Sequence, residues 1–295
     1  KNGNLKFCNQ RTLGAGGKNV VGLGEDDIVK DICYLTSDKN FYAFTDKGNV
    51  ARILASDLPE RSWKDKGIPF IKLVPQADKE ERVIALLCPD ENKLTPESSW
   101  IFFTTEGMAK RTLVQEYITL TKSYFQATVL KDEEKLINVC EFDAGSSMIF
   151  VTQDGMVLNA ELTDVPVQGR RSSGVRGIQL NTGDKVVFAS IIDDMGELIV
   201  VTELGYGKRM ILAEFDVSKR YRKGTKAIDT DLSRGPIVFS DVVKMPYMVA
   251  FFYDDGDSEL VFTDFIDIQM ISDIGSYIPS NRNARIISAG KHRTN

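Results

Sequence analysis

The sequence has little histidine and no long apolar run, and each shortage excludes a class of function. Its 295 residues include one histidine, His292, close to the C-terminus. A chain end tends to fray, so we expect no Ser-His-Asp, Cys-His or histidine-based metal chemistry. Apolar runs such as Leu198–Val201 are far too short to span a bilayer. The first residues lack the apolar core of a signal peptide, so we expect a cytoplasmic protein without membrane contact.

Cysteine is also scarce, and its spacing favours neither zinc nor disulfides. The four cysteines are Cys8, Cys33, Cys88 and Cys140, and none forms a Cys-x-x-Cys pair. Zinc sites and disulfide frameworks use tighter patterns, so we expect buried or free thiols in a reducing cytoplasm. The net charge of −5 argues weakly against nucleic acid, but where the charges lie matters more.

A short apolar run followed by Thr-x-x-Gly recurs along the chain, with Tyr253 replacing the threonine in the last copy. The copies end at Gly48, Gly107, Gly155, Gly205 and Gly256. Gly3 begins a further unit, which gives six units of roughly 50 residues. The longest unit contains the polar, proline-bearing segment 88–99, which indicates an inserted hairpin loop.

A second glycine follows the first at a fixed distance of nineteen residues in four units. These second glycines are Gly67, Gly174, Gly224 and Gly275. The third unit has Gln126 and Ala127 at this position instead. Gly17 carries the same flanking signature only fourteen residues after Gly3, so the first unit is about five residues short.

Each unit contains several short runs rich in Val, Ile and Phe, without a sustained helical period. Units of this length hold about four strands, and six such blades can bury their faces on one another in a ring. The sequence therefore predicts an all-β fold, a six-bladed propeller-like ring forming one domain over residues 1–295. The expected blades are 1–48, 49–107, 108–155, 156–205, 206–256 and 257–295. The two markers in fixed register disfavour two unrelated β domains.

Basic residues cluster around the second glycine, although the chain as a whole is acidic. In a radial fold these clusters would occupy one edge and form a belt suited to a polyanion, because each Lys or Arg at a phosphate releases counterions. Nearby glycines let backbone N–H groups approach phosphate oxygens. The expected contacts are Gln10, Arg11, Lys18, Arg61, Lys64, Lys66, Lys110, Arg111, Arg170, Arg171, Arg176, Lys208, Arg209, Lys219, Arg220, Arg222, Lys223 and Lys226.

The basic clusters have two weaknesses and one simpler explanation. The third unit has Lys122 alone in its loop, and the sixth has no basic residue there. Solvated loop charge is the simpler explanation, although recurrence at one position of the repeat favours a binding role. Trp63 and Tyr221 lie beside the clusters, and packing under the loop is favoured over stacking on bases.

The segments "TTEGMAKRTLVQEY" and "TELGYGKRMILAEFDVSKRYRKGTKAI" resemble the C-terminal domain of the A subunits of DNA gyrase and topoisomerase IV. The resemblance implies a β-pinwheel whose neighbouring blades exchange strands. It also implies that the rim binds and bends duplex DNA without reading its sequence, and presents a segment to the cleavage-reunion core of an ATP-dependent type II topoisomerase. The catalytic groups, ATP and Mg would then belong to other parts of the enzyme, with no catalytic or metal residue and no cofactor here.

The same resemblance implies partners and a subtype. The partners would be duplex DNA, an ATPase B subunit in a heterotetramer and the N-terminal cleavage-reunion domain of the same polypeptide, in the bacterial nucleoid. Gyrase carries a Gln-Arg-Arg-Gly-Gly-Lys-Gly box that wraps DNA with positive handedness. The segment "QRTLGAGGKN" keeps Gln10, Arg11 and Lys18, but has Thr12 and Leu13 for the second arginine and Asn19 for the last glycine. We therefore favour the topoisomerase IV type over a wrapping gyrase.

Two hypotheses from other classes stay open. A propeller that binds proteins or small ligands would use one face or its central channel rather than its rim. An enzyme in its own right could hold a cation with Asp254, Asp255 and Asp257, but these acids are typical of an exposed turn.

Overall fold

The structure is a computed structural model of the chain, and it describes residues 3–8, 28–62, 65–279 and 284–292. The chain forms two compact units. Unit 1 contains Lys1–Phe102, Lys110–Phe142 and Pro166–Gly174. Unit 2 contains Phe103–Ala109, Asp143–Val165 and Val175–Asn295. Among the described residues, no helix has the length and apolar character needed to cross a membrane.

Nearly all of the regular secondary structure in the described residues is β-strand, as predicted. The strands are β1 (Asn4–Leu5), β2 (Asn40–Thr45), β3 (Asn49–Leu54), β4 (Ile68–Pro69), β5 (Val83–Leu87), β6 (Ser99–Thr104), β7 (Met108–Leu113), β8 (Tyr124–Gln126), β9 (Leu136–Glu141), β10 (Ser147–Thr152), β11 (Met156–Glu161), β12 (Val175–Arg176), β13 (Val186–Ile192), β14 (Glu197–Thr202), β15 (Tyr206–Ile211), β16 (Thr225–Lys226), β17 (Ile237–Val243), β18 (Met248–Tyr253), β19 (Ser258–Phe262), β20 (Ser276–Tyr277) and β21 (Ile286–Lys291). Two four-residue helices are α1 (Phe70–Leu73) and α2 (Gln115–Ile118). Short 3-10 turns are Ala55–Asp57, Leu162–Asp164, Leu212–Glu214 and Thr263–Phe265.

The Thr-x-x-Gly motif is the turn of a β-hairpin. In the hairpin β10–β11, the amide of Gly155 donates to the carbonyl oxygen of Thr152 at 3.1 Å, and the hydroxyl of Thr152 accepts from the amide of Met156 at 3.3 Å. Gly155 has φ of 82°, and a Cβ there would lie 2.3 Å from the carbonyl oxygen of Ile228. Only glycine satisfies both the turn and the close approach.

Each repeat places its four strands in two different sheets. The first two strands form the hairpin, and the last strand pairs with the first strand of that hairpin. The short third strand pairs instead with the hairpin of the preceding repeat. This exchange gives four four-stranded sheets of order β5-β2-β3-β8, β12-β7-β6-β9, β13-β10-β11-β16 and β17-β14-β15-β20. The described part of the chain therefore has the strand exchange that the resemblance implied.

The prediction of six blades is wrong, because the described residues form five. The fifth is the three-stranded sheet β19-β18-β21, and in the described part of the first repeat β1 pairs with β4 of the next repeat. Within the part of the chain that the structure describes, β19 is an edge strand of this sheet, with no crossing strand beside it.

The exchanged strands also correct the alignment of the third repeat. Gln126 pairs with Asn49, while Arg176 pairs with Met108, and both partners directly follow a turn glycine. Gln126 is therefore the counterpart of Arg176. Tyr124, not Gln126, occupies the place of the second glycine, so the loop before it is two residues shorter than in the other repeats.

Each unit has its own apolar interior. In unit 1 the buried rings of Phe44, Trp100 and Tyr117 pack together, with edge-to-face geometry between Phe44 and Trp100 at 5.3 Å. In unit 2 alternate residues of β14, such as Leu198 and Val200, pack against the hairpin β10–β11 and its neighbours. Burying one such side chain contributes about 1.5–3 kcal/mol. This alternation therefore determines which face of β14 packs against the hairpin β10–β11.

The prediction of free thiols is wrong for two of the four cysteines. Cys33 and Cys88 form a disulfide, with Cα atoms 6.4 Å apart, while Cys8 and Cys140 are half-buried and not part of a disulfide in the described residues. The segment that carries Cys33 runs beside β5, where the amide of Leu86 donates to the carboxylate of Asp31 at 2.6 Å. The disulfide joins two cysteines that are 55 positions apart in the sequence. At that separation, the spacing of cysteines does not predict which of them pair.

Candidate nucleic-acid interface

The predicted basic clusters lie in crossing loops, the segments that lead from a 3-10 turn to the exchanged strand. We use this name for residues 59–67, 166–174, 216–224 and 267–275. Each loop runs parallel to the preceding hairpin before it crosses. Isolated parallel β-bridges mark this course. They join Phe7 to Glu60, Arg111 to Val167, Ala160 to Ser218, and Arg209 to Ile268. The loops are therefore structurally equivalent, and residues at one repeat position can be compared directly.

The crossing loop 216–224 in unit 2 is the richest in cations, and two of them are engaged within the protein. The ammonium of Lys219 lies 2.5 Å from the carboxylate of Glu161 and 3.3 Å from that of Asp164. These hydrogen bonds, led by the one to Glu161, raise the pKa of Lys219. The guanidinium of Arg220 donates to the carbonyl oxygens of Asp164 at 3.3 Å and Arg176 at 3.0 Å.

Two outer cations of this loop point away from such internal partners. Arg222 and Lys223 are exposed, and their side chains form no ion pair or hydrogen bond with the described residues. The backbone carbonyl of Arg222 accepts from the amide of Gln179 at 2.9 Å, which anchors the loop beneath them. Lys226 is also exposed, although its ammonium donates to the carbonyl oxygen of Asp154 at 2.9 Å.

Tyr221 connects this loop to the preceding exchanged strand. Its φ of 61° is in the left-handed region, which is unusual for a bulky residue. The guanidinium of Arg176 donates to the Tyr221 hydroxyl at 2.7 Å, and its carbon lies 5.3 Å from the ring centroid. The amide of Tyr221 donates to the carbonyl oxygen of Gly177. The ring is thus held against Arg176, which itself is exposed.

The crossing loop 166–174 in unit 1 repeats this division between engaged and available cations. The half-buried guanidinium of Arg170 donates to the carbonyl oxygen of Gln126 and lies 5.5 Å from the ring centroid of Phe125. The Arg170 amide donates to the carboxylate of Glu116 at 2.7 Å. Arg171 is exposed, and its side chain has no ion pair or hydrogen bond among the described residues.

Two lysines expected at the surface are buried instead. Lys110 donates to the carbonyl oxygens of Ala127 at 3.0 Å and Arg170 at 2.8 Å. Burial lowers its pKa to about 7, against the opposing effect of the Glu116 carboxylate. Lys208 occupies the equivalent place in unit 2. Burial lowers its pKa too, and its ammonium donates to the carbonyl oxygens of Met270, Ile271 and Asp273. Neither ammonium is placed to reach a phosphate.

The arginines that follow these lysines are also engaged within the fold. Arg209 is buried, donates to the carbonyl oxygen of Ile266 at 2.7 Å, and pairs with the carboxylate of Glu197 at 2.7 Å. Arg111 donates to the hydroxyl of Ser99 at 2.8 Å, and its guanidinium carbon lies 3.5 Å from the ring centroid of Phe142. Burial lowers the pKa of Arg111.

The first crossing loop is described in part. Arg61 and Lys66 are exposed, and their side chains have no partner among the described residues. The other predicted contacts of the first two repeats, Gln10, Arg11, Lys18 and Lys64, lie outside the described residues, as does Trp63.

The last crossing loop, 267–275, follows the same path but has apolar residues where loop 216–224 has lysines. Met270 and Ile274 occupy the positions of Lys219 and Lys223, and they are 65% and 60% exposed. The loop contains no Lys or Arg, and the carboxylate of Asp273 accepts from the amide of Met270 at 2.9 Å. The sequence predicted this lack of basic residues in the last loop.

Sequence reasoning overlooked the groups that hold the basic residues. Glu161 and Asp164 bind Lys219, and the backbone carbonyls of Gln126 and Arg176 accept from Arg170 and Arg220. Carbonyl acceptors carry no sequence signature. One signal was available, because Lys110 and Lys208 follow the turn glycine by three residues and therefore lie inside a strand rather than in a loop.

The geometry defines a class of protein, an all-β repeat protein whose sheets exchange strands and whose crossing loops carry cations. Comparison with known families identifies which one. The family described as "DNA gyrase C-terminal domain, beta-propeller" matches residues 39–90, 98–139, 146–193 and 196–235, which is more than half of the chain. The chain belongs to this family, which confirms the resemblance seen in the repeats.

Curated relatives agree with the family. The chain is 32% identical to the DNA gyrase A subunit of Lawsonia intracellularis over 229 residues, covering 76% of this chain and 27% of the relative. It is 28% identical to the DNA gyrase A subunit of Escherichia coli over 252 residues, covering 85% of this chain and 27% of the relative. The chain thus spans about a quarter of the length of these relatives.

Two solved structures share the fold. "Crystal structure of the C-terminal domain of DNA topoisomerase IV" matches with a TM-score of 0.85 and 24% identity, covering 99% of this chain and 90% of that one. "Structure of DNA gyrase A C-terminal domain" matches with a TM-score of 0.66 and 17% identity, covering 87% of this chain and 83% of that one.

Proposed function

We propose that this chain binds duplex DNA through the exposed cations of its crossing loops and bends it without reading its sequence. The observation that carries the proposal is the recurrence of exposed cations without side-chain partners among the described residues in equivalent crossing loops of an acidic chain of the gyrase C-terminal family. Arg171 in unit 1 and Arg222 and Lys223 in unit 2 are the clearest of them.

The chemistry of these loops suits a phosphate backbone. Long cationic side chains on anchored backbone place charge without a fixed hydrogen-bond pattern that would select a base. Each phosphate they neutralise would release counterions, so affinity should fall steeply with salt. Bending a 20–30 base-pair segment by 40–90° costs on the order of 1–6 kcal/mol, which a few phosphate contacts per repeat can offset.

We further propose that the chain acts as part of an ATP-dependent type II topoisomerase in the bacterial nucleoid. Its role would be to present the bent DNA to the N-terminal cleavage-reunion domain of its own polypeptide, with an ATPase B subunit completing a heterotetramer. ATP and Mg would be bound elsewhere in that enzyme, and this domain would bind no cofactor. Membership of a family whose curated relatives are gyrase A subunits supports this role.

Within that role, the topoisomerase IV type is favoured over a gyrase that wraps DNA positively. The box around Gln10, Arg11 and Lys18 departs from the gyrase pattern, and the last crossing loop lacks cations. Both features reduce the length of DNA that the chain would hold. The full enzyme distinguishes the two types, since gyrase introduces negative supercoils while the topoisomerase IV type relaxes and decatenates.

Fluorescence anisotropy with a labelled 40-base-pair duplex tests DNA binding by the 295-residue chain. We expect binding that is equal for two duplexes of unrelated sequence and that weakens with salt. The triple variant R171A/R222A/K223A should bind at least about tenfold more weakly, with the salt slope reduced by up to about 2.7 if each residue contacts one phosphate.

A matched control removes the same charge from exposed lysines outside the crossing loops, K72A/K79A/K131A. This variant should lose no more than a few-fold in affinity, because only long-range attraction is reduced. Equal losses for the two triple variants would show that net charge, not the crossing loops, governs binding.

A protein-interaction role is the second candidate, and the exposed apolar side chains of the last repeat favour it. Phe265, Ile268 and Met270 are 81%, 50% and 65% exposed. This candidate predicts that R171A/R222A/K223A leaves any DNA binding unchanged, so the same measurement separates the two functions.

A further inference from the structure

We propose that Arg170 and Arg220 are positioning residues, not phosphate contacts. Each ties its crossing loop to the exchanged strand of the preceding repeat, so that the exposed cations that follow it in the same loop are held in place. The inference rests on the proposed DNA binding and deepens it, because it divides the basic residues into those that touch DNA and those that hold them in place.

The contacts of Arg220 point inward and along the repeat. Its guanidinium donates to the carbonyl oxygen of Asp164 at 3.3 Å and to that of Arg176 at 3.0 Å. Arg176 belongs to β12, the exchanged strand of the preceding repeat. A fork with several N–H donors in fixed geometry can bridge two such carbonyls, which a lysine ammonium on a flexible stem does less well.

Arg170 makes the equivalent contact in unit 1. Its guanidinium donates to the carbonyl oxygen of Gln126, in β8 of the preceding repeat. Arg170 and Arg220 each lie four residues before a second glycine. Gln126 and Arg176 are counterparts as well, since each pairs with the residue after a turn glycine. The same bond therefore recurs in two units that the chain builds from different residues.

Further contacts stiffen both connections. In unit 2, the amide of Tyr221 donates to the carbonyl oxygen of Gly177, and the amide of Gln179 donates to that of Arg222 at 2.9 Å. In unit 1, the amide of Val129 donates to the carbonyl oxygen of Ser172 at 3.4 Å. The arginine thus begins a short stretch in which each crossing loop is fastened to the residues that follow the preceding exchanged strand.

The exposed cations directly follow these anchors. Arg171 comes one residue after Arg170, and Arg222 and Lys223 come two and three residues after Arg220. In the last repeat Ile271 occupies the anchoring position, and that loop carries no cation. The anchor and the outward cations are therefore present together or absent together among these three loops.

A double-mutant cycle on DNA binding separates positioning from direct contact. Arg220→Ala is compared in the wild-type chain and in R222A/K223A. A positioning role predicts about a tenfold loss of affinity in the wild-type chain and almost none in R222A/K223A, because Arg220 acts through those two side chains. A direct phosphate contact predicts the same loss in both backgrounds and a salt slope lower by about 0.9 in each.

The conservative variant R220K gives a second arm. It keeps the charge but loses the fork, so positioning predicts that it binds DNA as weakly as R220A. Direct contact predicts that it binds nearly as well as the wild-type chain. Equal losses in both backgrounds together with rescue by lysine would overturn the proposal.

Hydrogen exchange in the DNA-free chain tests the anchor alone. R220A should speed exchange at the amides of Tyr221 and Gln179 by about tenfold, with strand amides of β14 unchanged as the check that the fold persists. R222A is the matched control and should change neither amide. Unchanged exchange in R220A would reject the anchor, whereas failure of the wild-type chain to bind DNA would reject the proposed function.

Discussion

The ammonium of Lys110 donates a hydrogen bond to the carbonyl oxygen of Arg170, 2.8 Å away, although the two residues are 60 positions apart. Lys208 makes the same contact with the carbonyl oxygen of Ile271. In both cases a buried lysine on one hairpin fixes the crossing loop of another repeat. Basic residues in this chain therefore serve two purposes, and some that look like ligand contacts hold the loops instead.

Lys110→Met tests that internal role through stability. Methionine fills a similar volume but leaves the carbonyl oxygen of Arg170 without its donor, whereas that of Ala127 still accepts from the Tyr117 hydroxyl at 3.0 Å. One buried group left unpaired costs about 1–3 kcal/mol. We expect the free energy of unfolding to fall by about 1–3 kcal/mol in urea titrations, with Lys131→Met, an exposed control, within about 0.5 kcal/mol of the wild-type chain. Equal stability of the two variants would contradict this role.

The depressed pKa of Lys110 predicts how this difference depends on pH. The folded chain releases the proton near pH 7, while an unfolded lysine keeps it to about pH 10.5. Between these values the unfolded chain binds more protons, so the contribution of this group to stability is present above pH 10.5 and is lost as the pH falls toward 7. The wild-type chain should gain about 1–2 kcal/mol over K110M from pH 7 to pH 9, measured by urea unfolding at each pH.

Gly155→Ala tests the hairpin turn of the repeat. The substitution combines a φ of 82° with a Cβ placed 2.3 Å from the carbonyl oxygen of Ile228. Gly183 supplies the control, because its φ is 83° but nothing lies within 4 Å of the place that a Cβ would occupy. We expect G183A to cost about 1 kcal/mol and G155A at least about 2 kcal/mol more in the free energy of unfolding. Equal costs would show that the close approach relaxes freely.

The repeat architecture could be predicted because its markers are local. Thr152 and Gly155 form a hairpin turn through their own backbone and side-chain bonds, and such turns repeat wherever the motif does. The number of blades could not be counted in this way. Gly3 carries the marker, but in the described part of its repeat the sheet is the two-stranded pair β1-β4, so the marker alone does not establish a blade.

The candidate site could be predicted only in outline. The concentration of charge in loop 216–224 was visible in the sequence, and the exposure of Arg222 and Lys223 agrees with a binding role. The engagement of Lys208, Arg209 and Arg220 was not visible, because their partners are mostly backbone carbonyls from other repeats. Charge type can be read from a sequence, but the direction of a side chain depends on tertiary contacts.

Glu161→Gln tests whether an internal ion pair limits DNA binding. Lys219 is exposed but lies 2.5 Å from the carboxylate of Glu161, which neutralises it and would repel a nearby phosphate. Removing that charge leaves Asp164, at 3.3 Å, as the remaining carboxylate beside the ammonium, so DNA binding should strengthen by a few-fold at low salt, with the gain shrinking as salt rises. Asp193→Asn is the control, because its partner Lys244 lies outside the crossing loops. The DNA affinity of this variant should change only through long-range attraction. Equal gains in the two variants would assign the effect to net charge.

The double variant M270K/I274K tests whether position in the crossing loop suffices for DNA contact. It places ammonium groups where the equivalent loop has Lys219 and Lys223, on side chains that are already exposed. The backbone of this loop is held by Lys208, so the new cations should not disturb its path. We expect tighter DNA binding and a salt slope steeper by up to about 1.8, measured by anisotropy at several salt concentrations.

The control M195K/M245K adds the same charge at exposed methionines outside the crossing loops and should leave the slope nearly unchanged. Equal slopes for the two variants would show that DNA does not pass the last crossing loop, and the path would then be confined to the other repeats.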